Sequence, residues 1–544
     1  MTQKLGLETL TEIQAKTFDA ASSGKDVLGR ARTGTGKTLA FLLPAIETLL
    51  SSASKYEPGK SVGILIMSPT RELALQINEQ AKAIVSCHKN LSTQVMFGGT
   101  SKREDVKRLS KRLPSILVAT PGRLLDHLQS TDVRGDPFSR LIKKTQVLVL
   151  DETDRLLDMG FRKEIDNIIS YLPAEKRQTL LFSATLPPDV RKVMAGCMRP
   201  DYVTVDCIHD FDPSTHTNDL VNQSAVVHKS KRQIDAPVQV ITRLLEAEPN
   251  AKLIAFFPTT NLTAYYSSLF NFVLSKPVIE IHSKKTQSYR TSASNRFREM
   301  KKGIMFTSDV SARGVDYPGV TAVVQVGIPE SRETYIHRLG RTGRAGKSGR
   351  GVLILNEMEA PFLRKALKGM DIETNSELQD LVDQDILDDR IDRMRKAVRE
   401  GQNDTLCVAA TRAYQSMLGF YNGKLASLGI RDKRVLVRKV NDFSAAAGMN
   451  EPPAVSPRAA ESTGLAGLPG IRVKKGGKGA RGAGGRESVG GGRDGGKRRG
   501  RGGGGSGGGG RVGRGRGRRI YESEHGGGSI SGRGSYDGWG NFSS

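Results

Sequence analysis

Short apolar runs alternating with amphipathic stretches, twice over, restrict this chain more than any other feature. GILIM (63–67), ILVAT (116–120), VLVLD (147–151) and TLLFSAT (179–185) are rich in branched aliphatic residues and are unbroken by charge, the Asp151 that ends the third excepted. Runs of this length suit strands buried on both faces of a parallel sheet, and intervening stretches such as 71–83 suit the helices that cover it. The alternation pauses over the polar stretch 207–223, then resumes with KLIAFF, KPVIEIH, GIMFTSD and AVVQVG, ending near Leu355. The pattern predicts an α/β fold with parallel-sheet domains at 1–206 and 223–366, a linker at 207–222, and a cleft between the domains.

Beyond the second domain the period changes. Leu378, Leu381, Leu387, Ile391, Met394 and Val398 recur at helical spacings before Gly401, and a second helix is expected over 406–421. Thr374 and Glu377 form a candidate capping box for the first of these helices. Residues 367–470 therefore read as a helical extension packed on the second domain. From 471 to 544 glycine and arginine dominate and aliphatic residues nearly vanish, so no core can form and a disordered basic tail is expected. Its spaced arginines, with Tyr521, Tyr536, Trp539 and Phe542, suit phosphate contact and base stacking.

The charge balance narrows the partners. With 83 Lys+Arg against 57 Asp+Glu the chain carries +26, which points to a polyphosphate partner, nucleic acid before membrane. Sixteen basic and two acidic residues between 472 and 519 account for +14, so the remainder is basic too. No apolar run approaches the ~18 residues that span a bilayer, which predicts a soluble protein without a membrane partner, expected to act as a monomer. Cys87, Cys197, Cys207 and Cys407 are scattered without metal-ligand spacing and read as thiols of a reducing compartment. The opening MTQKLGLETL has neither the apolar core of a secretory signal nor an Arg/Ser-rich transit composition.

The chemistry starts at ARTGTGKT (31–38), between an apolar run ending at Leu28 and a helical run from Leu39. Gly34 and Gly36 let successive backbone N–H groups turn towards one anion, and the following helix aims its positive end at the same spot. Lys37 adds a full charge for phosphate oxygens, and the Thr38 hydroxyl suits a magnesium ion. The strand VLVL ends in Asp151, Glu152, Thr153 and Asp154, on the edge of the sheet that faces a phosphate loop. Asp151 is placed to hold the metal and Glu152 to orient and deprotonate water. In the second domain HRLGRTGR (337–344) offers Arg341 and Arg344 as arginine fingers, with Gly340 and Gly343 permitting close approach.

With these motifs the chain resembles a DEAD-box ATP-dependent RNA helicase of superfamily two, over nearly everything from Leu10 to Leu355. ARTGTGKT resembles motif I, PTRELA (69–74) motif Ia, Gly98 and Gly99 the GG element, and TPGR (120–123) motif Ib. DETD resembles motif II, SAT (183–185) motif III, FFPTT motif IV, TSDVSARGVD (307–316) motif V and HRLGRTGR motif VI, with Gln287 and Arg290 after motif IV. The resemblance implies two RecA-like domains that use ATP and Mg²⁺ and hold RNA with little sequence preference. It places Gln14 on the adenine edge, Arg32, Thr33, Gly34, Thr35, Gly36, Lys37 and Thr38 on the phosphates, and Gly314 and Asp316 at the nucleoside. His337, Ser183 and Thr185 would couple hydrolysis to closure. Thr70, Arg71, Gly99, Thr120, Arg123, Arg290 and Thr307 would hold RNA.

Three positions depart from the family pattern: Thr153 stands for alanine, Glu12 for proline, and the adenine-stacking aromatic about seventeen residues before Gln14 would fall before Met1. The extension, especially RAYQSMLGFYN (412–422), and the basic tail are similar to those of the fungal mitochondrial DEAD-box RNA chaperones. That likeness implies a mitochondrial location, with the nucleolus or cytoplasm as alternatives.

Overall fold

The computed structural model describes residues 8–31, 34–51, 56–173, 177–208, 220–311, 315–344, 347–384 and 389–474. The predicted linker falls mostly outside these residues, and so do Leu387 and the chain from 475 onward. In the first domain the main strands are β1 (Val27–Arg30), β2 (Ile64–Met67), β3 (Thr93–Met96) and β4 (Ile116–Ala119). After a short hairpin of β5 (Asp132–Val133) and β6 (Asp136–Pro137) come β7 (Val147–Leu150), β8 (Gln178–Ser183) and β9 (Val203–Asp206). They form a seven-stranded parallel sheet in the order β3-β4-β2-β7-β8-β1-β9. The sheet is buried on both faces, each face with its own apolar cluster, as unbroken runs in β2, β4, β7 and β8 require.

The second domain repeats the plan. Its strands are β10 (Val221–His228), β11 (Lys252–Phe256), β12 (Val278–Ile281), β13 (Gly303–Thr307), β14 (Ala322–Val326), β15 (Gly349–Asn356) and β16 (Glu373–Thr374). The order β12-β13-β11-β14-β15-β10-β16 is again parallel throughout. Two predicted boundaries shift. β10 starts at Val221, inside the expected linker, and β16, expected in the extension, joins the second sheet through Ser224↔Glu373 and Ala225↔Thr374. Because Thr374 is committed to a strand, the next helix, Ser376–Asp383, is capped instead by Asn375, whose side-chain oxygen accepts the Leu378 N–H at 2.9 Å.

The extension adds the helices Asp389–Arg399, Asp404–Asn422 and Lys433–Ala446, with shorter turns between and after them. Its apolar faces and one face of the second sheet share a single continuous core, from Val221 to Leu465. At the joint lies a buried polar contact. Glu359 accepts the Tyr421 hydroxyl at 2.6 Å and the backbone N–H groups of Ile328 and Asn356. Burial pushes the Glu359 carboxyl above its ordinary range, and these three donors pull it part of the way back. Tyr421→Phe is therefore expected to destabilise the second lobe by about 1.5–3 kcal/mol while Glu359 is ionised. The penalty should shrink as pH falls through the raised value and the carboxyl protonates. Urea unfolding at mildly alkaline and mildly acidic pH measures both.

The described chain continues past the predicted start of the tail. Val455 and Val473 form an isolated parallel bridge, with Val455 donating to Arg472 and Lys474 donating back to Val455. Among the described residues no helix is long and apolar enough to cross a membrane.

Candidate active site

The phosphate loop follows β1 and opens the helix Lys37–Ser51. Gly34 and Gly36 have φ of +88° and +89°, a left-handed backbone that favours glycine. The helix Glu12–Ser22 braces this loop. Thr11, its N-cap, donates from its hydroxyl to the Thr35 carbonyl at 2.8 Å, and Gln14 donates from Nε2 to the Gly36 carbonyl at 3.0 Å. Gln14 Oε1 meanwhile accepts the Thr11 N–H at 3.0 Å, so the predicted adenine reader is also the prop of the loop. A Cβ on Gly36 would lie 2.3 Å from Gln14 Nε2. Glu12, in place of the usual proline, starts the helix and pairs with Lys16 one turn on; a carboxylate there favours the positive helix end. Lys37 is buried and donates to the Ala31 carbonyl at 3.0 Å, and Thr38 is half-buried in the first turn. Arg32 and Thr33 lie outside the described residues.

At the end of β7, Asp151, Glu152 and Asp154 are all buried. Glu152 sits in the left-handed region at φ 47°, a conformation that for a non-glycine residue marks stored strain. Burial and the neighbouring Glu152 charge push Asp151 up to about 7, against the pull of Lys37 and the Glu152 N–H. Thr153 answers its own departure from the pattern, because its buried hydroxyl lies 3.2 Å from the Leu150 carbonyl and 3.3 Å from that of Phe182. Ser183 accepts the Asp154 N–H at 3.3 Å, and Thr185 donates to Asp154 Oδ2 at 3.0 Å. The SAT hydroxyls thus grip the acidic turn through Asp154, a residue to which the motifs alone assign no role.

The second domain brings its arginines against these groups. Arg341 is buried, donating to the Val315 carbonyl at 2.6 Å and to the His337 carbonyl at 3.3 Å; His337 is buried beside it. Burial, then the charge of Arg344, lowers the Arg341 pKa, while Glu152 and Asp316 work the other way. Arg344 donates to the Gly340 carbonyl at 2.8 Å and to Asp316 Oδ1 at 2.6 Å, and a Cβ on Gly34 would lie 3.5 Å from its Nε. The Asp316 N–H donates to Gln76 Oε1 across the domains at 2.8 Å. Gly314 lies outside the described residues.

Among the described residues, Glu152 Oε2 and the Nη2 atoms of Arg341 and Arg344 are buried without a hydrogen-bond partner. Together with two left-handed glycines and a crowded carboxylate pair, this donor set fits a triphosphate with a divalent cation: anion ligands on one side, cation ligands on the other. Thr38 and Asp151 are the residues that would hold the cation.

Of the predicted RNA residues, Gly99 lines a cleft of 730 Å³ between the domains, together with Thr100, Gln287, Ser288 and Thr291. Thr70 caps the helix Arg71–Val85 by accepting the Leu73 N–H, and Thr120 caps the helix Pro121–Ser130 by position. The three arginines are all engaged within the protein. Arg290 pairs with Glu72 at 2.6 Å, Arg71 reaches Gln287 at 3.4 Å, and Arg123 pairs with Asp105 at 2.7 Å. Gln287 also donates to Glu72 at 3.0 Å. Burial, with Arg290 close by, lowers the pKa of Arg71. Gly99 has φ +86°, and a Cβ there would lie 2.4 Å from Arg71 Nη1. Thr307 is fully buried at the end of β13, its hydroxyl turned to the Ser308 carbonyl at 2.9 Å. Sequence reasoning misses Glu72, Gln76 and Asp105; the one available signal is a polar residue on the buried face of an otherwise amphipathic helix.

The DEAD/DEAH box helicase family matches residues 11–193, and the helicase conserved C-terminal domain matches residues 236–346. The chain is 41% identical over 471 residues to DEAD-box ATP-dependent RNA helicase 26 of Oryza sativa subsp. japonica, covering 86% of this chain and 82% of that one. It is 43% identical over 475 residues to DEAD-box ATP-dependent RNA helicase 31 of Arabidopsis thaliana, covering 86% of this chain but only 63% of that relative's length. A solved structure of Mss116p bound to single-stranded RNA and AMP-PNP superposes with a TM-score of 0.74 at 30% identity, over 87% of this chain and 93% of that one. The chain belongs to the family of DEAD-box ATP-dependent RNA helicases.

Proposed function

We propose that the chain is an RNA-stimulated ATPase and RNA chaperone that locally separates short duplexes by closing its two domains on ATP and RNA. The observation that carries this reading is the approach of Arg341 and Arg344 from the second domain to the phosphate loop and acidic turn of the first. In this scheme Glu152 orients water and takes its proton as the water oxygen attacks the γ-phosphorus; the bond from that phosphorus to the β–γ bridging oxygen breaks, ADP leaves with the electron pair and inorganic phosphate forms, while Lys37, Arg341 and Arg344 meet the charge that develops on the phosphoryl oxygens. Magnesium, held by Thr38 and Asp151, supplies further charge neutralisation when bound. Asp316 holds the ribose and Gln14 the adenine. His337, Ser183 and Thr185 link the acidic turn to closure.

Single-stranded RNA and AMP-PNP are bound by Mss116p, and both are carried over to this chain here. RNA would lie in the cleft through phosphates and 2′-hydroxyls, hence with little sequence preference, and the protein would act as a monomer. The likeness of the extension to that of the fungal mitochondrial chaperones makes structured intron RNA the substrate to try first.

The test is ATP hydrolysis without polynucleotide, with single-stranded RNA and with single-stranded DNA, beside strand separation on a short RNA duplex. RNA is expected to raise turnover at least about tenfold above DNA, with strands released only when ATP is present. Equal stimulation by DNA, or hydrolysis without strand release, would overturn the RNA-remodelling reading.

A further inference from the structure

We infer that Asp105 is a positioning residue for RNA binding, holding the turn 98–100 against the TPGR helix through the guanidinium of Arg123. The inference rests on the RNA reading above and assigns the grip to backbone shaped by a buried ion cluster. Asp105 lies in the helix Lys102–Lys111, beside Glu104 and among five basic residues, and it is 0% exposed. A carboxylate removed from water costs several kcal/mol unless it is paired on more than one side. Here Oδ1 accepts from Arg108 at 2.6 Å, and Oδ2 accepts from Arg123 at 2.7 Å with His127 Nε2 at 3.4 Å. His127 is itself buried and set by Thr131 at 3.0 Å through Nδ1.

Burial pushes the Asp105 carboxyl up, yet hydrogen bonds from His127 and Arg108 and the charges of Arg108 and Arg123 leave it below the ordinary range. The cluster is thus satisfied as an ion.

Arg123 ties this cluster to the turn. One terminal nitrogen goes to Asp105 and the other to the Thr100 carbonyl at 2.8 Å, so the planar fork is spent inside the protein. Thr100 is fixed a second time by its hydroxyl on the Phe97 carbonyl at 3.0 Å. Gly99, left-handed and covered by the Arg71 guanidinium, is thereby held from both sides, next to the N-terminus that Thr120 caps. Three readings of this cluster make different predictions. If Asp105 mattered only as charge, its removal would strengthen binding to a polyanion. If Arg123 were a phosphate ligand, its loss would reduce the salt dependence of single-strand binding by about 0.7 in log–log slope. Positioning predicts weaker binding at an unchanged slope.

The experiment is anisotropy of a labelled single-stranded RNA with the full chain and AMP-PNP across a salt series. It compares wild type, Asp105→Asn, Arg123→Gln and Asp126→Asn, the last removing a half-exposed carboxylate that pairs with Lys102 on the neighbouring helix face. Asp105→Asn and Arg123→Gln should each weaken RNA binding by about tenfold with the salt slope retained, and Asp126→Asn should bind as wild type or slightly tighter. Nucleotide affinity measured without RNA should stay within about twofold for all variants. RNA binding by Asp105→Asn equal to or tighter than wild type overturns the inference, as does parallel loss of nucleotide and RNA affinity. A slope reduced by about 0.7 in Arg123→Gln makes Arg123 a phosphate ligand and overturns it too. Wild type that binds no RNA overturns the functional reading itself, and this inference with it.

Discussion

Glu152→Gln is expected to bind ATP and RNA as well as wild type while turnover falls by about 10²–10⁴-fold, the usual contribution of a positioned general base. The side chain sits buried on a left-handed turn, with Oε2 unpartnered, between the phosphate loop and Arg341. Glutamine fills the same volume but is neutral and cannot take up the proton of water, so the complex should accumulate as a closed clamp. Single-turnover hydrolysis with saturating RNA, beside RNA dissociation rates with ATP present, reads both halves. Wild-type hydrolysis in this variant would remove Glu152 from the mechanism.

Arg341→Ala should lower turnover by about 10³–10⁵-fold, the range associated with arginine fingers. In the proposed mechanism Arg341 joins two tasks: Nη1 holds the Val315 carbonyl in motif V, and Nη2, buried without a hydrogen-bond partner, would donate to a phosphoryl oxygen. Arg341→Lys should fail to rescue, because a single ammonium cannot serve both positions with the fixed fork that guanidinium provides. Hydrolysis under saturating ATP and RNA separates this from weakened binding. A lysine variant with wild-type turnover would show that charge alone suffices and that the fork geometry is not needed.

The fold is legible wherever burial is two-sided. Strands β2, β4, β7 and β8 show themselves as unbroken apolar runs because both faces are covered. β3, at the sheet edge, reads only TQVM with alternate residues half-exposed, and it carries no comparable trace. β16 looks like a helix cap because Thr374 and Glu377 satisfy a local pattern; pairing with β10, some 150 residues earlier, outweighs it.

The nucleotide site is legible for a related reason. The phosphate loop and the acidic turn are each contiguous in sequence, so the spacing within each conveys its local geometry. Partner choice is not contiguous. Nothing in TPGR announces that Arg123 spends its fork on Asp105 and Thr100, and nothing in PTRELA announces that Glu72 faces Arg290 across the domains.

The shared core of the second sheet and the extension, from Val221 to Leu465, has a mechanical outcome. Prising the two apart would expose a broad oily seam, so they are expected to move as one stiff piece. In the proposed closure, whatever swing brings Arg341 to the nucleotide would carry the extension with it. A strand leaning on its outer surface would be shoved sideways without a motor of its own.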